Sequence, residues 1–166
     1  MAGKAIGKTL PFGYRGSVAR TPDALIQAHC NVGDEPILFG EPVVYDTALK
    51  GVRKIKTTDT DNTGIIGLAV RRMGQPYADD ASGWYYAKGD EVDVLVRGTM
   101  TVELKDTASI AARGQLYVAN GNNSMTAGDL YCATATGRVA VPNTYFTVGA
   151  FDENKIAEVT ILERKI

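Results

Sequence analysis

EVDVLVRGTMTVEL, residues 91–104, reads as two strands, Val92–Val96 and Thr99–Leu104, with Arg97 and Gly98 between them. In TMTVEL the apolar residues Met100, Val102 and Leu104 alternate with polar ones. Strand side chains have a period of two, so these three lie on one face. The same texture extends outward in both directions. Before it come Pro36–Phe39, Pro42–Tyr45, Gly51–Ile55 and Ile65–Arg71; after it Leu116–Val118, Tyr131–Thr136, Val139–Val141, Tyr145–Phe151 and Lys155–Leu162. These are β-branched runs closed by Gly, Asn or Asp, and EVTIL at residues 158–162 alternates again. No segment past residue 30 keeps a helical period over three turns, which excludes an α/β fold. The expected class is all-β, a sandwich or jelly-roll-like barrel of short antiparallel strands.

Residues 1–30 differ. PFGYRGSVARTPD, residues 11–23, mixes Gly, Pro, Arg and aromatics with no period, and Asp23–Ala28 suggests one helical turn at most. The division expected is an extended N-terminal arm, residues 1–30, and a single β domain, residues 31–166. VGDEPILFGEPVV, KGDEVDVLVRGTMTV and RGQLYVANGNNSMTAGD share a Gly-then-strand-then-Gly layout. That layout fits either a duplicated hairpin unit or the common turn chemistry of β proteins.

A chain of 166 residues suits one domain, and 45% hydrophobic with 22% charged residues is a globular composition. The net charge of −1 argues against nucleic acid or an anionic membrane as partner. No run approaches the ~18 apolar residues of a membrane span. Lys4 and Lys8 are not followed by the apolar core of a secretory signal, so a soluble protein made in the cytoplasm is expected. Cys30 and Cys132 read as buried reduced thiols, with one long-range disulfide as the alternative.

The motifs with chemical potential each fail on context. Ala2–Thr9 has the small-x-x-x-x-G-K-T spacing of a phosphate loop, but Leu10-Pro11-Phe12-Gly13 cannot open the helix that such a loop requires. Asp59, Asp61, Thr63 and Gly64 imitate the start of a calcium loop, yet the twelfth position is Val70 rather than Glu, leaving an Asx-rich turn. His29, the only histidine, has no nucleophile elbow near it in sequence. Asp79 and Asp80 read as a solvated acidic loop before a glycosidase pair. No catalytic residue, metal ligand or cofactor is expected. GWYYAKGDEV, holding Trp84, Tyr85 and Tyr86, reads either as a strand whose rings cap the core or as a secondary interface.

GYRGSVARTPDALIQAH followed by PILFGEPVVY resembles the N-terminal signature of the structural cement, or head decoration, proteins of tailed bacteriophages. The positions that carry the resemblance are Gly13, Gly16, Arg20, Pro22, Asp23, Phe39, Gly40, Pro42 and Val43. Residues 88–104, 113–121 and 146–161 resemble the later strands of that family in the same order. The aromatic GWYYAKGD and the acidic residues 78–80 depart from the pattern. The resemblance implies a β protein on the outer surface of a virion, clamping neighbouring major capsid subunits and made in the host cytoplasm. It further suggests a homo-oligomer matched to the head lattice, a trimer before a dimer. Under it, Phe12 and Tyr14 would anchor on the capsid, and Arg15 and Arg20 would reach capsid carboxylates. The alternative is a β module of a phage or cell surface that binds carbohydrate or a host receptor through Trp84, Tyr85 and Tyr86.

Overall fold

Glu91–Asp106 forms one unbroken strand, and the rest of the molecule is arranged about it. A computed structural model describes residues 12–72 and 85–162, with Thr21 and Pro22 described by backbone alone. The strands, in chain order, are β1 (Val18–Cys30), β2 (Ile37–Leu38), β3 (Pro42–Asp46), β4 (Gly51–Lys54), β5 (Ile65–Ala69) and β6 (Tyr85–Tyr86). They continue with β7 (Glu91–Asp106), β8 (Gln115–Ala119), β9 (Leu130–Tyr131), β10 (Arg138–Phe151) and β11 (Ile156–Ile161). No helix occurs among the described residues, so the fold is all-β.

Two closed rings of strands share β7. The N-terminal half of β7 pairs with β5 (Leu68 opposite Leu95) and with β1 (Ala28 opposite Asp93). From β5 the ring runs through β3 and β4. It closes where Asn31 bridges Val52 and the Val32 N–H donates to the Val52 carbonyl at 2.9 Å. The C-terminal half of β7 pairs with β11 (Thr101 opposite Glu158), and that ring continues through β10, β8 and β9. The short β9 returns to β7 in parallel, Leu104 beside Leu130, and the Asn31–Val52 bridge is parallel too; the other strand pairings are antiparallel. Closure leaves few bare edges for unwanted pairing.

The core falls into two clusters, the second of which also takes Val44, Ile65 and Leu68 from strands of the first ring. Val92, Val94 and Val96 of β7 pack with Val43, Val52, Ala69, Ile37, Phe39 and Tyr86. Met100, Val102 and Leu104 pack with Leu116, Val118, Val139, Phe146 and Val159. Leu95, an odd-numbered neighbour of the first set, belongs to this second cluster. A strand of period two keeps its faces unless something turns it, so the face must reverse between Leu95 and Met100. Gly98 lies between them at φ +125°, a conformation open to glycine. Opposite it the β1 register slips between Arg20 and Leu25.

Several sequence expectations change. The strands expected at Val92–Val96 and Thr99–Leu104 are one, as are Val139–Val141 and Tyr145–Phe151, so the strands are not uniformly short. Asp23–Ala28 is not a helical turn but part of β1, and Val18–Cys30 of the expected arm is hydrogen-bonded along β7. Its sequence shows no alternation because both faces of β1 stay partly open, with Leu25 and Ile26 exposed. Cys30 is exposed rather than buried; Cys132 is buried, and neither forms a disulfide.

Candidate functional site

Gly16 and Gly40, distant in sequence, touch in the fold. A Cβ on Gly16 would stand 2.8 Å from the Phe39 Cβ and 3.0 Å from the Gly40 nitrogen, so only glycine allows this approach. The Gly16 N–H donates to the Thr101 carbonyl and the Arg71 N–H to the Gly16 carbonyl, both at 2.7 Å. The Thr101 hydroxyl donates to the Tyr14 carbonyl. The Phe12 N–H donates to Asp152 Oδ2 at 3.0 Å. Residues 12–17 are thus laid down across β7 and the β10–β11 turn by their backbone, which frees the Tyr14 ring to point outward, 70% exposed. The Arg71 guanidinium covers that ring, 4.2 Å from its centroid, a cation–π contact that holds it in place.

Beside this loop, where the two rings meet, lies a groove of about 890 Å³. Leu38, Phe39, Leu130 and Ile156 give it an apolar floor. Its charged lining is balanced: Arg15, Arg71 and Lys105 against Glu41, Glu103 and Asp129. Arg15 Nη1 lies 3.3 Å from Glu103 Oε2, and Lys105 Nζ lies 3.6 Å from Asp129 Oδ1. Glu41 is buried, meets Lys54 Nζ at 3.4 Å, and accepts the Leu38 N–H at 2.9 Å. Burial pushes the Glu41 carboxyl above its ordinary range, with Lys54 and the Leu38 N–H pulling back; burial likewise raises Asp129 against the pull of Lys105. Gly128 of the second ring packs directly on Glu41, for a Cβ there would come within 2.5 Å of Oε1.

Phe12, Tyr14 and Arg15 therefore gather at one place, Tyr14 and Arg15 in the groove lining itself. Arg20 does not join them: it sits on β1, where its Nε donates to Glu158 Oε1 at 2.9 Å. That carboxylate is 9% exposed, so Arg20 neutralises a buried charge of its own chain. Tyr86, expected as an interface candidate, is wholly buried. Its hydroxyl donates to the Val70 carbonyl at 2.6 Å, its ring meets Phe39 edge-on at 5.2 Å, and burial pushes its pKa up to about 12. Tyr86 belongs to the core and cannot serve a surface platform, while Tyr85 is half-buried. Trp84, Asp79, Asp80 and the Ala2–Thr9 motif lie outside the described residues.

The calcium-like loop is committed elsewhere. Arg53 grips Asp59 through its two terminal guanidinium nitrogens, Nη1 and Nη2, at 2.7 and 2.8 Å and holds its carboxyl below the usual range, while Asp61 accepts the Thr63 N–H. No group of three or more His, Cys, Asp or Glu that could hold a metal occurs among the described residues. His29 stands edge-on to Tyr45 at 5.8 Å, and burial lowers its pKa.

Sequence reasoning missed Glu41, Arg71, Lys105 and Asp129, which come from segments far apart in the chain. The glycines that bring them together were the available signal, since Gly13, Gly16 and Gly40 all line or brace the groove.

A family model described as structural cement protein (E217 gp24/Pam3 gp6) matches residues 3–162. Among solved structures, a chain from the capsid of Myoviridae phage XM1 is similar in fold, with a TM-score of 0.70 and 19% identity over 98% of each chain. No curated protein matches.

Proposed function

The chain belongs to the phage structural cement protein family, and from that membership we propose that it sits on the outer face of a phage head and clamps neighbouring major capsid subunits together. Membership makes it a capsid-stabilising structural protein of the virion that binds capsid protein. The finer reading rests on the mounting of residues 12–17. Their backbone is held by Asp152, Thr101 and Arg71, so the exposed Tyr14 ring is not needed for the fold and is preset for a partner. A ring fixed in advance loses little entropy on binding. Exposed aromatics that become buried are the usual centres of binding energy.

A homo-oligomer, a trimer before a dimer, fits this role because heads repeat at symmetry axes and several weak contacts then act together. The role is mechanical and requires no catalysis.

The test is decoration in vitro. Purified protein is mixed with undecorated heads, pelleted with them and imaged. The reading expects co-sedimentation and regular density on the outer surface, with loss of binding in a Tyr14→Ala, Arg15→Ala double variant. Protein that stays in the supernatant, or density confined to the inner face, would contradict it.

A further inference from the structure

We infer that the groove at the meeting of the two strand rings receives an extended, uncharged segment of a capsid subunit, whose apolar side chains settle on Leu38, Phe39, Leu130 and Ile156. This rests on the capsid-binding reading above, and it adds the place of contact and the chemistry of the occupant.

Charge argues first. The lining carries three cations and three carboxylates. Arg15–Glu103 and Lys105–Asp129 are paired at 3.3 and 3.6 Å, and Glu41 is answered by Lys54. A charged occupant would be desolvated and would also have to break one of these pairs or draw Arg71 off the Tyr14 ring, which seldom returns a net gain. A nucleic acid would find no excess of positive charge to replace its counterions. An uncharged segment meets neither obstacle.

Size and shape argue next. About 890 Å³ lies in the upper part of the range for binding clefts, roughly 300–1,000 Å³, enough for a few residues but not for a second sheet. At Gly13 a Cβ would meet nothing within 4 Å, so the lip is open there. The floor is apolar and the rim polar, the layout of a recognition site with a dry centre. Tyr14 stands at the lip, braced by Arg71. The packing of Gly128 on Glu41 fixes the two rings against each other, so the groove is formed before its occupant arrives.

The test uses full-length protein on heads. A photoreactive p-benzoylphenylalanine replaces Thr126 or Asn154, both exposed residues of the lining. After irradiation of decorated heads, mass spectrometry should find the crosslink on an uncharged stretch of a capsid subunit. A Thr126→Trp, Asn154→Trp double variant, which fills the groove from its rim, should weaken head binding by about tenfold or more with its melting temperature unchanged. Leu49→Trp, on an exposed turn outside the lining, should bind as wild type. Crosslinks to residues 1–11 of this chain, to a second copy or to no capsid segment would overturn the groove as a capsid seat, as would full affinity in the filled variant. Capsid binding itself would still stand. Wild-type protein that fails to bind heads would overturn both.

Discussion

Gly98→Ala tests the two-ring account at its hinge. Gly98 has φ +125°, and a Cβ added there would lie 3.0 Å from the Ala24 Cα and 3.4 Å from the Asp23 carbonyl oxygen. A side chain held in that backbone region costs about 1–3 kcal/mol. The narrower unfolded ensemble of alanine returns little where φ is wrong. Close contact with β1 backbone, which cannot swing away as a side-chain tip can, brings the expected loss to about 2–4 kcal/mol. For a domain of this size that is a fall in melting temperature of roughly 5–15 °C. Gly89→Ala is the control: φ there is +88°, but the space around it is empty, so only the conformational cost of about 1 kcal/mol applies. Differential scanning calorimetry of the two variants gives the answer. If Gly98→Ala melts within about 2 °C of wild type, or no lower than Gly89→Ala, the face reversal does not depend on that glycine.

Arg20→Ala should lower stability by about 1–3 kcal/mol, because it leaves the Glu158 carboxylate buried and unpaired; chemical denaturation measures this, and head binding at low temperature should change less than melting. Glu41→Gln should hold or raise stability at neutral pH, because it mimics the uncharged carboxyl that burial favours, whereas Lys54→Met alone should destabilise by stranding the Glu41 carboxylate, read from the same denaturation curves. The pH profile of melting should have two limbs. Burial raises Glu41 and Asp129 above 4.5 and 3.8, so the native state takes up their protons first, and stability gains from these groups as pH falls from neutral toward those values. Asp34, Asp46, Asp59 and Asp61 are lowered from 3.8, so their contribution is full above that value and is lost as pH falls below it. Burial lowers His29 below 6.5, which takes stability away over the same range, so the test uses a His29→Asn background; a melting temperature there that drops steadily from neutral to mildly acid pH would contradict the first limb.

The fold class was legible because apolar and polar residues alternate along strands, as at Met100, Val102 and Leu104, even though Thr101 between them is buried as well. β1 was not. Its partner β7 lies some seventy positions onward, its faces are both partly wet, and Pro22 reads as a break in any local window. The continuity of β7 through Gly98 was hidden for a related reason: a glycine that ends a strand and one that turns it look alike in sequence. Of the candidate site, the family resemblance picked out Tyr14, Arg15 and the glycines Gly13, Gly16 and Gly40, which do come together. Arg20 matched the same pattern but neutralises Glu158, a role set by the burial of a residue far along the chain. Tyr86 admitted both a core-cap and an interface reading because aromatic runs beside loops serve as either. Its neighbour Phe39 and the Val70 carbonyl, neither adjacent in sequence, draw it into the core.

Heat tests the proposal that this protein stabilises a phage head by binding across its subunits. Undecorated, DNA-filled heads are heated with and without saturating protein, and DNA release is followed by dye fluorescence. Release is expected at a clearly higher temperature for decorated heads, with the gain lost in the Tyr14→Ala, Arg15→Ala variant. Heads that bind the protein and still release DNA at the undecorated temperature would contradict it.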